Sequence, residues 1–539
     1  MDEQPGPGDA AAEAGAGVGG ELRHPGGAAP RPASHPAQHE ASPGAEASRS
    51  TRDNPEGDAN RAVSAGVAGH AVPATPVTAA STAAIHAPSL EDPLVAAAAT
   101  RLGGPVGRYA RAAARSLVWP LRVLIIFATT THLLGYIMRW PCRVADFTNR
   151  DRYPRLCYSD IPYLYGGRGF DVGAIPYIDH PPGKEVLEYP VLTGWFMHLA
   201  GLLTGGTHEG ARTELVRAAR FYDWNAVMLG ACLVVAVVAT ALTVRTRPWD
   251  AALLALAPTI VTTGLINWDL FAVALLAVST LLWMRERPAL AGLFLGLAVS
   301  AKFYPVVLLA VLAALCLRTR RLPDFARLLA TALGSWAAVN VPIAWLAPDA
   351  WAHFYVFSRV RGADFGSVWL GLQYALGFTV APENLNTAVI IVFAVLAAGV
   401  LVLCLAAPTA PRYPQVAFLM IAAFCVANKV YSPQYVLWLV PFAVLARPRW
   451  RDFLIWQGSQ VLYAVSVWMF LEGNAGDGPR KGLNAEGYGW LIFITIAFTL
   501  WYCALIVRDI LQPEHDPVRA GTDRHDVDVS RPTQALITD

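Results

Sequence analysis

Charged side chains are scarce in this sequence. Asp, Glu, Lys and Arg make up 15% of its 539 residues and hydrophobic residues make up 55%, whereas soluble domains are about 25% charged. A long chain of this composition is typical of a polytopic membrane protein. The net charge is only +2, and the sequence has no basic stripe with interleaved aromatic residues. We therefore exclude nucleic acid as a partner.

An apolar run near Met1 is also missing, so the sequence predicts no cleavable signal peptide. Residues 1–100 are rich in Ala, Gly, Pro, Ser and His and almost lack aromatic residues. Such a segment buries too little apolar surface to offset its loss of conformational entropy. We therefore expect a disordered cytoplasmic N-terminal region over 1–100, and a similar cytoplasmic tail over 511–539.

Long apolar runs define a multi-span transmembrane domain over residues 117–510. They predict an all-α polytopic membrane protein with about twelve transmembrane helices. The expected helices lie at 117–138, 221–244, 250–266, 268–284, 289–301, 303–317, 326–346, 386–407, 416–428, 434–446, 452–471 and 488–508. Several are shorter than the ~20 residues of a full crossing, and short helices that end at polar breaks indicate a cavity at membrane depth.

Arginine is concentrated in alternate loops, such as "RTRP" (245–248), "RERP" (285–288) and "RTRR" (318–321). Because positive charge marks the cytoplasmic side, both termini are predicted to be cytoplasmic in a multi-pass protein of the cell (plasma) membrane. Residues 139–220 then form a large first extracytoplasmic loop. This topology requires that 189–203 does not cross, so we interpret it as an interfacial or re-entrant helix.

Two of the seven cysteines, Cys142 and Cys157, lie in this outer loop, and the other five lie in predicted spans. A cysteine within a span acts as a small hydrophobic residue. The extracytoplasmic compartment permits oxidation, so a disulfide between Cys142 and Cys157 and two free thiols are both open alternatives.

The stretch "LCYSDIPYLY" (156–165) places one acid, Asp160, among tyrosines that include Tyr163, just beyond the first span. In a partly desolvated aromatic setting an acid can have a raised pKa and act as a general base. Alternatively, Asp160 caps the short helix that follows it. Asp171, Asp179, His180 and Glu188 are further titratable groups of the same loop.

Three cations on the same predicted face lie at helix breaks or in an outer loop. Lys302 lies in "AKFYP" beside Tyr304, and Lys429 lies in "ANKVYSPQY" with Gln434 and Tyr435. Arg361 lies in a loop with His353 and many aromatic residues. One explanation of a lysine at a helix end is structural, because its side chain can extend to the membrane interface simply to keep its charge in water. A cluster of Lys and Arg can instead bind a phosphate, which arginine grips bidentately.

An acid, several cations and aromatic rings on one face suit glycosyl transfer from a membrane-borne donor. The acid would activate an acceptor hydroxyl, the cations would stabilise a departing lipid phosphate, and the rings would stack on a sugar. "NWD", with Asn267 and Asp269, begins a span at the same level.

These segments resemble a known family. An early aspartate in a large first outer loop resembles the GT-C superfamily of glycosyltransferases. "LAVSAKFYPVVLL" (297–309), "YSPQYVLWLVPF" (431–442) and "LEYPVLTG" (187–194) are similar to segments of glycosyltransferase family 87, the polyprenol-phosphate-mannose-dependent mannosyltransferases. The resemblance covers residues 117–510.

The resemblance implies a GT-C-like helical bundle and an inverting hexosyltransferase, by family default a mannosyltransferase, with Asp160 as catalytic base. Its donor would be a polyprenyl-phosphate sugar, and its acceptor an extracytoplasmic lipid or cell-envelope glycan. Lys302, Lys429 and Arg361 would bind the donor phosphate. Family members generally need no metal or other cofactor, and the outer loop has no DxD pair. The expected substrate contacts are Tyr163, Tyr304, Gln434, Tyr435 and His353.

A multi-span transporter or flippase of a phosphate-bearing lipid is the alternative function. It would use a similar cavity and the same cations to bind a headgroup. Transporters often contain repeated halves and carry ionisable groups near the membrane midplane. This sequence shows no internal repeat, and its ionisable groups cluster on one face, which favours the enzyme.

Overall fold

The computed structural model describes residues 92–103, 117–148, 150–205, 211–474 and 482–519. These residues form helices α1 (Pro93–Gly103), α2 (Val118–Met138), α3 (Trp140–Arg143), α4 (Ile161–Gly167), α5 (Val191–Thr204), α6 (Ala211–Thr243), α7 (Ala252–Ala255), α8 (Pro258–Thr263), α9 (Asp269–Met284), α10 (Pro288–Ala301), α11 (Leu308–Arg318), α12 (Leu322–Leu346), α13 (Pro348–Val360), α14 (Val368–Leu376), α15 (Pro382–Ala406), α16 (Tyr413–Ala427), α17 (Val436–Ala446), α18 (Trp450–Asn474) and α19 (Ala485–Leu511). Short 3-10 helices lie at Arg150–Arg152, Phe170–Val172, Pro248–Ala251, Tyr304–Val307, Pro433–Tyr435 and Pro513–His515. Within the described ranges there are no strands.

Six helices of the described part, α2, α6, α12, α15, α18 and α19, are long and apolar enough to cross a membrane. The all-α, multi-pass prediction is therefore confirmed at this level. The expected total of about twelve crossings is not established, because six further apolar helices have only 10–17 residues. At 1.5 Å per residue, these shorter helices span less than the ~30 Å hydrocarbon core.

The predicted continuous helix over 250–266 is wrong. This segment is instead a 3-10 turn followed by α7 and α8, with a break at Leu256 and Ala257. Pro258 opens α8 and has no backbone N–H to continue α7. The fully buried guanidinium of Arg139 donates to the carbonyls of Val261 and Thr262, at 3.0 and 2.8 Å. These carbonyls near the end of α8 are thus satisfied without a longer helix.

The segment predicted not to cross the membrane, 189–203, forms the 14-residue helix α5. Its length of about 21 Å is too short for a full crossing. Near its start, the Thr193 hydroxyl donates to the carbonyl oxygen of Ala301 at 2.6 Å, where α10 ends. This contact brings α5 beside Lys302. Its interfacial or re-entrant position stays a prediction.

Hydrogen bonds between chain segments far apart in sequence fix the outer loop near the ends of the short helices. The Ser159 hydroxyl donates to the carbonyl of Leu265 at 2.8 Å, and the Asp160 amide donates to that of Ile266 at 2.9 Å. The predicted first outer loop is thereby attached to the turn before α9. In the same way, the Asp364 amide donates to the carbonyl of Lys429 at 2.8 Å.

The structure contains the Cys142–Cys157 disulfide, with 5.7 Å between the two Cα atoms. Of the two alternatives that the sequence leaves open, the disulfide is therefore the one observed. Both cysteines are buried, and Cys157 lies three residues before Asp160. The bridge closes a loop that ends three residues before the predicted base.

The predicted disordered regions are largely outside the described residues. The end of the N-terminal region is an exception, because α1 begins at Pro93. The tail predicted from 511 also begins with described structure, which continues to residue 519. Within this stretch, the buried Asp516 pairs with Arg412 at 2.8 Å. This pairing joins residues 104 positions apart, so no local sequence pattern indicates it.

Candidate active site

Asp160 immediately precedes the short helix α4, and its carboxylate makes no capping hydrogen bond to that helix. The Ser159 hydroxyl instead accepts from the Ile161 amide at 3.3 Å. The capping explanation of Asp160 therefore does not account for its side chain. That carboxylate is half-buried, and the Tyr158 hydroxyl acts on it as a hydrogen-bond donor that lowers its pKa.

Burial raises the pKa of Asp160 to about 6. The hydrogen bond from Tyr158 and the positive charge of Lys302 act in the opposite direction, while Glu188 and Asp269 add to the rise. A carboxyl group with this pKa is ionised at neutral pH and remains basic enough to accept a proton from a hydroxyl group. The environment of Asp160 therefore suits a general base.

Three other acids of the predicted first outer loop already have partners. Glu188 forms a bidentate pair with Arg168 at 2.7 and 3.0 Å, Asp171 pairs with Lys184 at 2.7 Å, and Asp179 accepts from the Ile175 amide at 2.8 Å. Within the described ranges, Asp160 has no cation within 4 Å. It is thus the acid of this loop that is best placed to accept a proton.

Lys302 follows directly on α10, and Asp269, which begins α9, lies next to it. The Lys302 Nζ atom lies 3.3 and 3.4 Å from the Asp269 Oδ1 and Oδ2 atoms, and 5.1 Å from the centroid of the Tyr189 ring. The charge of Lys302 also acts on Asp160. The structure thus brings the predicted base and this predicted phosphate-binding cation into one electrostatic neighbourhood.

Arg361 and Lys429 form a second group of positive charge. Burial acts to lower the pKa of Arg361, but its ion pair with Asp364 outweighs this and leaves the pKa raised. Arg361 also interacts electrostatically with Tyr435 and Tyr189, which links it to the Lys302 neighbourhood. Burial lowers the pKa of Lys429, and the charge of Arg361 acts in the same direction. Bringing an anion between these two cations would relieve their repulsion.

The predicted substrate contacts differ in their surroundings. Tyr163 is 39% exposed and stacks on Tyr158 with ring centroids 5.6 Å apart, beside Asp160. Tyr435 is half-buried and stacks on Trp438 at 3.8 Å. Tyr163 therefore lies beside the predicted base, and Tyr435 lies beside Trp438.

Tyr304, Gln434 and His353 are less direct candidates. Tyr304 is buried and stacks on Trp438 at 4.2 Å, so it supports that ring. Gln434 is also buried, and its Oε1 atom has no hydrogen-bond partner in the described part of the chain. His353 lies on α13, where its ring packs against Phe357 one turn later. The substrate-binding roles of all three stay predictions.

Two residues next to these groups received no role from the sequence. Asp269 is fully buried at the start of α9, and the Trp438 indole donates to its Oδ1 atom at 2.6 Å. An acid that begins an apolar helix indicates a functional residue, because ionisable groups at membrane depth are costly. Trp438 gives no such signal, because it lies within a uniformly apolar helix. No group of three or more His, Cys, Asp or Glu side chains is arranged for a metal ion among the described residues.

The model of glycosyltransferase family 87 matches residues 190–428. This range contains Lys302 and Arg361, begins after Asp160 and ends one residue before Lys429. No curated protein matches the chain. The resemblance to family 87 is therefore confirmed over residues 190–428.

Proposed function

We propose that this chain is a membrane glycosyltransferase of family 87 and that it transfers mannose from a polyprenyl-phosphate donor to an extracytoplasmic lipid or cell-envelope glycan. The observation that carries this proposal is the occurrence of one carboxylate and several buried or half-buried cations at the ends of short apolar helices. Asp160 and Lys302 interact electrostatically there, and Arg361 and Lys429 lie in the adjoining loops.

Asp160 acts as the general base of an inverting reaction. Its carboxylate takes the proton of an acceptor hydroxyl as the hydroxyl oxygen attacks the anomeric carbon of the donor sugar. A new oxygen–carbon bond forms, and the bond between that carbon and the phosphate oxygen breaks on the opposite face. The bonding electron pair leaves with the polyprenyl phosphate, so no covalent enzyme intermediate is required.

The cations Lys302, Arg361 and Lys429 bind the donor phosphate and stabilise the negative charge that develops on it. Arginine suits this role because its planar guanidinium can donate two parallel hydrogen bonds to phosphate oxygens. Lys429 already donates to the Arg359 carbonyl at 2.8 Å and to the Asn386 Oδ1 atom at 2.7 Å. These two contacts hold its ammonium group in place before the donor arrives, which is the arrangement expected of a preorganised site.

The site faces the extracytoplasmic side, and both termini face the cytoplasm. The arginine-rich loops at 245–248, 285–288 and 318–321 support this orientation through the bias of positive charge toward the cytoplasm. The disulfide next to Asp160 supports it independently, because disulfides persist in oxidising compartments.

The test is a transfer assay with the purified full chain in vesicles, an envelope-lipid extract as acceptor and two labelled donors. We expect label transfer from polyprenyl-phosphate mannose and none from a nucleoside-diphosphate mannose, with inversion at the anomeric carbon. Transfer from the nucleotide donor alone would contradict the proposal. Movement of labelled donor across the bilayer without a new glycosidic bond would favour the lipid flippase.

A further inference from the structure

Asp269 is a buried acid that the proposed reaction does not itself use. It is the first residue of α9 and is fully buried next to Lys302, one of the groups expected to bind the donor phosphate. Burying a carboxylate is costly unless it is paired and hydrogen-bonded. Asp269 has both kinds of partner, because Lys302 lies 3.3 Å from its Oδ1 atom and the Trp438 indole donates to the same oxygen at 2.6 Å.

Aromatic rings hold both partners of Asp269 in place. The Trp438 ring stacks between Tyr304 and Tyr435, with centroid distances of 4.2 and 3.8 Å, so the direction of its N–H group is fixed. Lys302 lies over the Tyr189 ring at 5.1 Å, which adds a favourable cation–π contact. A continuous set of contacts therefore runs from the aromatic stack through Asp269 to the Lys302 ammonium.

A buried ion pair is weak evidence of a role in stability, since apolar residues of similar volume often stabilise a core as well or better. The location of this pair suggests another role. Lysine has a long flexible side chain, and an unanchored ammonium would sample many positions before it met a phosphate. An anchored one loses little further freedom when the phosphate binds, which increases affinity.

We propose that Asp269 is a positioning residue that holds the Lys302 ammonium where the donor phosphate binds. Asp269 then acts through Lys302, and Trp438 acts through Asp269. The inference rests on the proposed function, because it takes the phosphate of a polyprenyl-phosphate donor as the anion. It assigns a role in binding to a fully buried residue that acts through its contact with Lys302.

The experiment uses the purified full chain in vesicles and measures two quantities: binding of polyprenyl phosphate, and the dependence of transfer rate on polyprenyl-phosphate-mannose concentration. The variants are Asp269→Asn, Lys302→Met, the double variant and Trp438→Phe. Asp452→Asn is the matched control, because Asp452 is equally buried in the first turn of α18 and pairs with Arg447 at 2.8 Å, away from the site.

We expect Asp269→Asn to weaken polyprenyl phosphate binding and raise the donor KM about tenfold, with a smaller change in kcat. Lys302→Met should weaken polyprenyl phosphate binding and raise the donor KM at least as much. The double variant should be no worse than Lys302→Met alone, because Asp269 acts through Lys302. Trp438→Phe leaves both charges in place and should give a smaller change in the same direction, and Asp452→Asn should leave the donor KM unchanged.

Effects of Asp269→Asn and Lys302→Met that multiply in the double variant would overturn the inference, since the two residues would then act independently. Unchanged donor KM in both Asp269→Asn and Trp438→Phe would overturn it as well. If Asp269→Asn fails to fold, Trp438→Phe decides by the same criterion. If the wild-type chain itself neither binds polyprenyl phosphate nor transfers from its mannose derivative, the proposed function fails and this inference fails with it.

Discussion

To act as the proposed base, Asp160 must be ionised before it accepts a proton from the substrate. Its pKa is raised to about 6 by burial, so the folded protein holds this proton in a pH range where an exposed aspartate is already ionised. The hydrogen bond from Tyr158 favours the ionised form and limits the rise. The balance between these effects determines the pH at which the base becomes active.

The pH dependence of kcat/KM should therefore have an acid limb with a midpoint near pH 6, below which activity is lost as Asp160 is protonated. Tyr158→Phe removes a hydrogen bond that lowers this pKa, so the limb should move to higher pH by about one unit. Tyr153→Phe is the control, because the Tyr153 ring stacks on Tyr158 at 5.6 Å but is not among the groups that shift Asp160. A limb that stays in place in Tyr158→Phe would argue against Asp160 as the titrating group.

At the level of structural elements, two covalently or sterically constrained segments hold the site together. One is the loop after α13, which carries Arg361 and lies against the segment that carries Lys429. The Tyr431 amide donates to the Phe365 carbonyl at 2.7 Å, and Gly366 has a φ angle of +65° at this contact. The other is the outer-loop segment closed by the disulfide.

Gly366→Ala should disrupt the first of these segments. A Cβ atom at this position would lie 2.5 Å from the Tyr431 carbonyl oxygen, and a positive φ angle is itself unfavourable for alanine. We expect a loss of about 1–3 kcal/mol in stability, seen as a lower melting temperature in detergent, together with a raised donor KM. Gly362→Ala is the matched control from the same loop, since a Cβ atom there has no neighbour within 4 Å. Equal melting temperatures and donor KM values for the two variants would contradict the role of this loop.

Loss of the disulfide should affect Asp160 through the chain that connects them. Closing a loop of 15 residues stabilises a folded protein by about 3 kcal/mol in the chain-entropy model. Cys142→Ser, Cys157→Ser and the double variant should therefore show the same lowered melting temperature and the same reduced kcat. Cys232→Ser is the control, because Cys232 is a free cysteine in α6. Full activity in the double variant would show that the bridge does not order the base.

At the scale of the whole molecule, the sequence indicates the helical class and most helix positions. Apolar runs are local, so 117–138 and 386–407 correspond closely to α2 and α15. The break within 250–266 has a local signal in Pro258, but the Arg139 side chain that satisfies carbonyls of α8 lies more than 100 residues earlier in the chain. The ordered start of the C-terminal tail was missed for a similar reason. Both failures involve charged groups whose partners are distant in sequence.

The same distinction between local patterns and contacts distant in sequence applies to the candidate site. Lys302 and Lys429 could be found because lysine is rare in the chain and both lie at apolar helix ends. Asp160 could be proposed, but several acids in its loop were equally visible, and only their ion pairs in the folded structure distinguish them. The contact of Asp269 with Trp438 joins positions 169 residues apart, so nothing local in the sequence predicts it.

The most direct test of the central claim compares wild type, Asp160→Asn and the loop control Asp179→Asn in transfer of labelled mannose from polyprenyl-phosphate mannose. Asp160→Asn should lower kcat by about 10²–10⁴-fold, whereas Asp179→Asn should remain close to wild type. The melting temperature of Asp160→Asn at neutral pH should not fall below that of wild type, because the neutral amide avoids the cost of burying an ionised carboxylate. Equal transfer by wild type and Asp160→Asn would contradict the assignment of Asp160 as the base.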